Sequence, residues 1–218
     1  MSNAPDDQKG ANRLGLLHRD ELLEDGQQLH DQITQLMNAH YDDSGVTTQL
    51  PDGRYIGPLA IMLRTPSIGS AFFGLSAAIS RLAASAKLTP RVRDVAVNTV
   101  VGNAKAAYAV YAHGILGKRA GLSDEELDAI STGQRPKTLD EAESVAWEMA
   151  RDLCVQPERG ALQDELWDRG VKVLGEEGAI ALVHEVAFYQ YISTVLNGFD
   201  ARRPDGKRWN REEGTWTQ

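Results

Sequence analysis

The 218-residue chain has one cysteine, Cys154. One thiol forms no internal disulfide and holds no metal alone, so a reducing, cytoplasmic setting is expected. Aromatic residues make up only 6% of the chain, a scarcity that fits a helix-leaning composition. The net charge is −8, so the chain has no general attraction for nucleic acid or an anionic membrane surface. Its basic clusters, at Arg91 and Arg93, Lys118 and Arg119, and residues 202–208, are short. No uninterrupted apolar run reaches the length of a membrane span. The longest candidate, residues 178–196, is broken by His184, Glu185 and Gln190. The polar residues 1–12 contain no apolar signal core and are expected to be disordered.

What is plentiful is alanine, leucine and glutamate, a helix-forming mix. Leu22, Leu29, Ile33, Leu36 and Met37 recur at helical spacing, so residues 13–49 are expected to form a helical arm, with a break near Gly26. Residues 42–58 are rich in turn formers. Further helices are expected at 59–65, 68–86, 90–101, 104–119, 123–130, 138–154, 162–174 and 179–198. Thr89-Pro90 and the Ser123 and Thr138 boxes give start signals. Gly102-Asn103 interrupts the pattern and is expected to turn the chain. No strand is expected, and residues 207–218 form a polar tail. The fold class is all-α, a helical bundle.

The informative segment is residues 93–113. Asp94 and His113 would lie about 28 Å apart on one straight helix. A fold-back at Gly102-Asn103 into an antiparallel helix pair would bring them to similar height. A carboxylate there would fix the imidazole's tautomer and raise its basicity. Ala106, Ala109, Val110, Leu116 and Gly117 surround His113 at helical spacing. Such a histidine is either a hydrogen-bonded core residue or the polar end of an apolar pocket. Tyr108 and Tyr111 are packing residues or site residues.

Arg93-Asp94, Tyr108, Tyr111-Ala112-His113 and Ala120-Gly121-Leu122-Ser123 stand in the order and spacing of a family signature. So do Gly53, Gly57-Pro58 and Arg64-Thr65-Pro66 upstream, and Leu174 to Gly178 and Tyr191 to Pro204 downstream. Residues 50–206 thus resemble the carboxymuconolactone decarboxylase / alkylhydroperoxidase-D-like (AhpD-like) family. The resemblance implies an AhpD-like helical bundle around an antiparallel helix pair, assembled as a homo-trimer or hexamer. It implies a cofactor-free lyase or isomerase in aromatic-compound breakdown, moving a proton on a small lactone or oxo-acid substrate. His113 would be the acid/base, Asp94 its orienting carboxylate and Tyr108 a donor to substrate oxygen. Ala106, Ala109, Val110 and His184 would line the pocket.

The departures are informative. Where the peroxidase branch carries a Cys-x-x-Cys pair before the histidine, Ala106 and Ala109 stand here, so no thiolate is available at that place. Asp94 is one methylene shorter than the family's glutamate, and Ala109-Val110 replaces a polar pair. A non-catalytic binding or assembly protein on the same scaffold is the alternative, and an alkylhydroperoxidase the less favoured one. No residue set has metal-ligand spacing and no cofactor is expected. His18, His30 and His40 are read as surface or contact residues.

Overall fold

The computed structural model describes residues 8–40, 44–155 and 160–217. The chain is mostly helical, as composition and periodicity predict. Among the described residues are nine α-helices: α1 (Glu24–His40), α2 (Gly57–Met62), α3 (Pro66–Ser85), α4 (Pro90–Ala104), α5 (Ala107–Arg119), α6 (Asp124–Ser131), α7 (Glu141–Val155), α8 (Asp164–Leu174) and α9 (Glu176–Gly198). One short antiparallel hairpin closes the chain, β1 (Arg208–Asn210) with β2 (Thr215–Thr217). The tail expected to be irregular pairs because Trp209 stands opposite Trp216, the rings 5.2 Å apart and edge to face.

The chain forms two compact units, one of residues 1–74, 105–115 and 194–218, the other of residues 75–104 and 116–193. In the first unit, Leu22, Leu29 and Ile33 bury against Tyr55, Leu59 and Leu63, so α1 packs within its own chain. The break expected near Gly26 is absent. That residue lies inside α1, close to Leu22 and the Leu63 carbonyl, where a side chain would be crowded. The helix instead begins only at Glu24, after a 3-10 turn at Arg19–Glu21. Residues 8–12, expected without fixed structure, are tied to the end of the chain: Gly10 N–H donates to Arg203 O at 3.0 Å and Arg202 N–H to Ala11 O at 2.9 Å. Residues 1–7 lie outside the described residues.

The second unit is built around α4. Val92, Ala96 and Val100 pack with Val145, Ala146, Met149 and Ala150 of α7 and with Ala179, Leu182 and Val186 of α9. A valine-rich helix has modest intrinsic propensity, so α4 owes its stability to this packing. Its start is the Thr89-Pro90 signal, Thr89 Oγ1 accepting from Val92 N–H at 3.2 Å. The turn expected at Gly102-Asn103 lies elsewhere. Gly102 is buried inside α4, where a Cβ would come 3.0 Å from the Ser131 Cα. The glycine serves close helix approach, and the chain turns at Lys105, whose φ is +52°.

Two capping boxes meet one arginine. Ser123 and Glu126 exchange bonds at the start of α6. The second box is Asp140 with Glu143, at 3.1 and 2.8 Å, and not the expected Thr138 box. Thr138 instead donates its hydroxyl to Glu126 at 2.5 Å. Arg91, in the first turn of α4, donates to Glu126 at 2.7 Å, to Glu143 at 2.6 Å and to the Gly121 carbonyl. Burial alone would push the Glu126 carboxyl up. The hydrogen bonds from Arg91, Thr138 and the Ser123 backbone outweigh it and hold the group at about 2.

Glu126 therefore adds stability that is complete above its ordinary 4.5 and is lost as pH falls towards about 2. Arg91→Met leaves two buried carboxylates without their cation, and should cost roughly 3–5 kcal/mol in denaturant unfolding. The sign of its pH dependence should also reverse: acidification from pH 7 to pH 5, which spares the wild type, should partly restore the variant by protonating the stranded carboxyls.

Candidate functional site

Helix α5 carries most of the residues singled out from sequence. Ala106 and Ala109 are buried, Val110 and His113 half-buried. Ala109, Val110 and His113 lie along one side of α5, and Ala106 stands just before its first residue, its carbonyl accepting from Val110 N–H at 2.8 Å. An imidazole at the end of a wall of methyl groups is the result. Ala106 and Ala109 are 0% and 4% exposed.

Tyr108 occupies a different place from the one expected. It is 4% exposed, and its O–H donates to the Thr47 carbonyl at 2.9 Å. Tyr111 completes the clamp on Thr47. Its hydroxyl accepts from Thr47 N–H at 3.1 Å and donates to Thr47 Oγ1 at 3.1 Å. Burial, reinforced by the neighbouring Tyr111, pushes the Tyr108 phenol up. A phenol whose proton is already given to a carbonyl is not offered to a substrate oxygen, so Tyr108 holds the loop before α2. Gly57, at the start of that helix, has φ +60°, and a Cβ there would lie 2.5 Å from the Tyr108 ring. Both conditions require glycine. Across the other aromatic, the Arg203 guanidinium lies 5.8 Å over the Tyr111 ring.

Asp94 and His184 fall in the second unit, His113 and Tyr108 in the first. The turn expected at Gly102-Asn103 lies at Lys105. Asp94 is half-buried on α4, and its carbonyl accepts from Asn98 Nδ2 at 2.9 Å. The neighbouring Arg93 pairs side-on with Glu185 at 2.9 and 3.2 Å. Glu185 is 3% exposed, whereas His184, expected to line a pocket, is on the exposed side of α9. One position of helical rotation exchanges the two, and only the pairing with Arg93 reveals which faces inward. Thr47 and Glu185 are thus the polar partners that sequence spacing did not isolate. Their contacts join residues 61–64 and 92 positions apart, and no local signal marks them.

Among the described residues, no group of three or more His, Cys, Asp or Glu side chains could hold a metal ion. Burial pushes the Cys154 thiol up to about 12, against a smaller opposing effect of Gln190. No family model matches the chain, and no curated protein matches it.

Two outcomes follow. Gly57→Ala should destabilise the fold by roughly 1–3 kcal/mol, through a strained φ and overlap with Tyr108, read as a lowered thermal midpoint. Cys154 should react slowly with a thiol reagent at pH 8 in the native protein and rapidly after unfolding. Rapid native labelling would contradict its protonated, half-buried state.

Proposed function

We propose that the chain is a cofactor-free lyase or isomerase of the carboxymuconolactone decarboxylase kind, acting on a small lactone or oxo-acid. The observation that carries this is the side of α5 on which His113 follows Ala106, Ala109 and Val110. The ordered motifs from Gly57-Pro58 to Leu196-Asn197-Gly198 support the family reading, and with it an AhpD-like homo-trimer or hexamer.

Histidine is the side chain that both gives and takes a proton near neutral pH. In a decarboxylation, the C–C bond to the carboxylate breaks and CO2 leaves. The bonding electrons stay on the adjacent carbon as an enolate. An imidazolium at His113 donates its Nε2 or Nδ1 proton to that carbon, and solvent returns the proton afterwards. In an isomerisation, the same imidazole removes a proton at one carbon and restores it at another. The proposed step is assigned to His113, and Tyr108 contributes by fixing the Thr47 loop.

The alternative is a non-catalytic binding or assembly protein on the same scaffold. It draws support from the commitment of Tyr108 to Thr47 and from Ala109-Val110 in place of polar residues. Thiol peroxidase chemistry is disfavoured, since Ala106 and Ala109 supply no thiol and Cys154 is held protonated.

Turnover of a panel of small lactones and β-oxo-acids separates the two. For any substrate turned over, His113→Ala should lower kcat by about 10²–10⁴-fold with an unchanged circular-dichroism spectrum. Full turnover by that variant would remove the proposed mechanism.

A further inference from the structure

Helix α3 poses a physical problem of its own. Its 20 residues carry one charge, Arg81. Both α3 and α9 reach the length and apolarity of a membrane-crossing helix, which corrects the expectation from uninterrupted runs, but α9 is far better buried. On α3, Ile68 is 50% and Leu75 51% exposed, and Ala71, Gly74, Ala77 and Ala78 are exposed with them. A helix so apolar is normally covered.

Its exposed side has a pattern. Ile68, Ala71, Leu75, Ala78, Leu82 and Ser85 are spaced alternately by three and four residues, the seam of a helix pair. Large residues occupy one seam position, at 68, 75 and 82. Small ones occupy the other, at 71, 78 and 85. Five of the six are exposed and Leu82 is half-buried.

We propose that this seam is the contact with a second copy of the chain, the two α3 helices running antiparallel about a two-fold axis between residues 76 and 77. The alternation is self-complementary in that orientation alone. Leu75 then faces Ala78 of the second copy, Ala71 faces Leu82 and Ile68 faces Ser85, so every layer sets large against small. A parallel copy would set Leu75 against Leu75 and Ala78 against Ala78, overfilling one layer and leaving a void in the next. Arg81 flanks the seam, and the two-fold places it beside Gly74 of the second copy, away from its own equivalent. Small residues at alternate layers let the axes approach to about 8 Å.

The contact runs from residue 68 to 85, about 27 Å of helix. A single helix pair of that length is a small contact, so the association is expected to be reversible and concentration-dependent. A bilayer is the less fitting occupant. The inner side of α3 is fixed against its own chain, since a Cβ on Gly69 would lie 2.6 Å from Leu29 and 3.0 Å from the Met62 carbonyl. Serines at 67, 70, 76, 80 and 85 recur along its length.

This inference is independent of the reaction proposed above, and its test reads mass, not turnover. Sedimentation equilibrium of the full chain over a micromolar concentration series should show a species with an even number of copies. Leu75→Glu should weaken that association about tenfold or more with unchanged circular dichroism. A wild type monomeric throughout the series, a trimer insensitive to Leu75→Glu, or flotation with neutral phosphatidylcholine vesicles in place of self-association would each overturn it. Orientation is read by oxidative cross-linking. Leu75→Cys mixed with Ala78→Cys should give a disulfide-linked pair that neither variant gives alone, and cross-linking of Leu75→Cys alone would overturn the antiparallel register.

Discussion

One guanidinium holds the second unit in register. Arg91 reaches the glutamates that close the capping boxes of α6 and α7, and the carbonyl of Gly121 between α5 and α6. Each glutamate therefore satisfies a helix start and an arginine together. The arrangement fixes where three helices begin, and the direction of α4 follows from it. The apolar packing of Val92, Ala96 and Val100 against α7 depends on that direction, because a valine-rich helix has little intrinsic tendency to persist. Arg93, half a turn on, repeats the device towards α9 through Glu185. The start of α4 thus orients the unit by charge, and its middle stabilises the unit by burial.

Much of this was legible from sequence wherever the signal was local. Thr89-Pro90, Ser123 to Glu126 and the glycine after Arg119 mark helix ends through backbone chemistry that acts within four residues. The apolar spacing of Leu22, Leu29 and Ile33 marks a buried stripe in the same way. Where the chain departs from expectation, the deciding contact is distant. Gly102 reads as a breaker until Ser131 is seen against it. Thr138 reads as a cap until Asp140 is found to take that place and Thr138 to reach Glu126. Trp209 and Trp216 read as a tail because a three-residue strand has no periodicity to show.

The same division runs through the candidate site. The side of α5 bearing Ala106, Ala109, Val110 and His113 follows from helical spacing alone. The role of Tyr108 does not, since it depends on the Thr47 carbonyl, 61 residues away. Nor does the choice between His184 and Glu185, adjacent in sequence and opposite in environment. What remains on α5 is an imidazole at the end of an apolar strip.

The proton transfer proposed for His113 can be tested without knowing the physiological substrate. Small 2-oxo-acids and lactones incubated in deuterium oxide with catalytic amounts of protein can be followed by proton NMR at the carbon next to the carbonyl. Protein-dependent loss of that signal is expected from at least one compound, falling to the uncatalysed rate with His113→Ala. Exchange that persists at the wild-type rate in His113→Ala would contradict it.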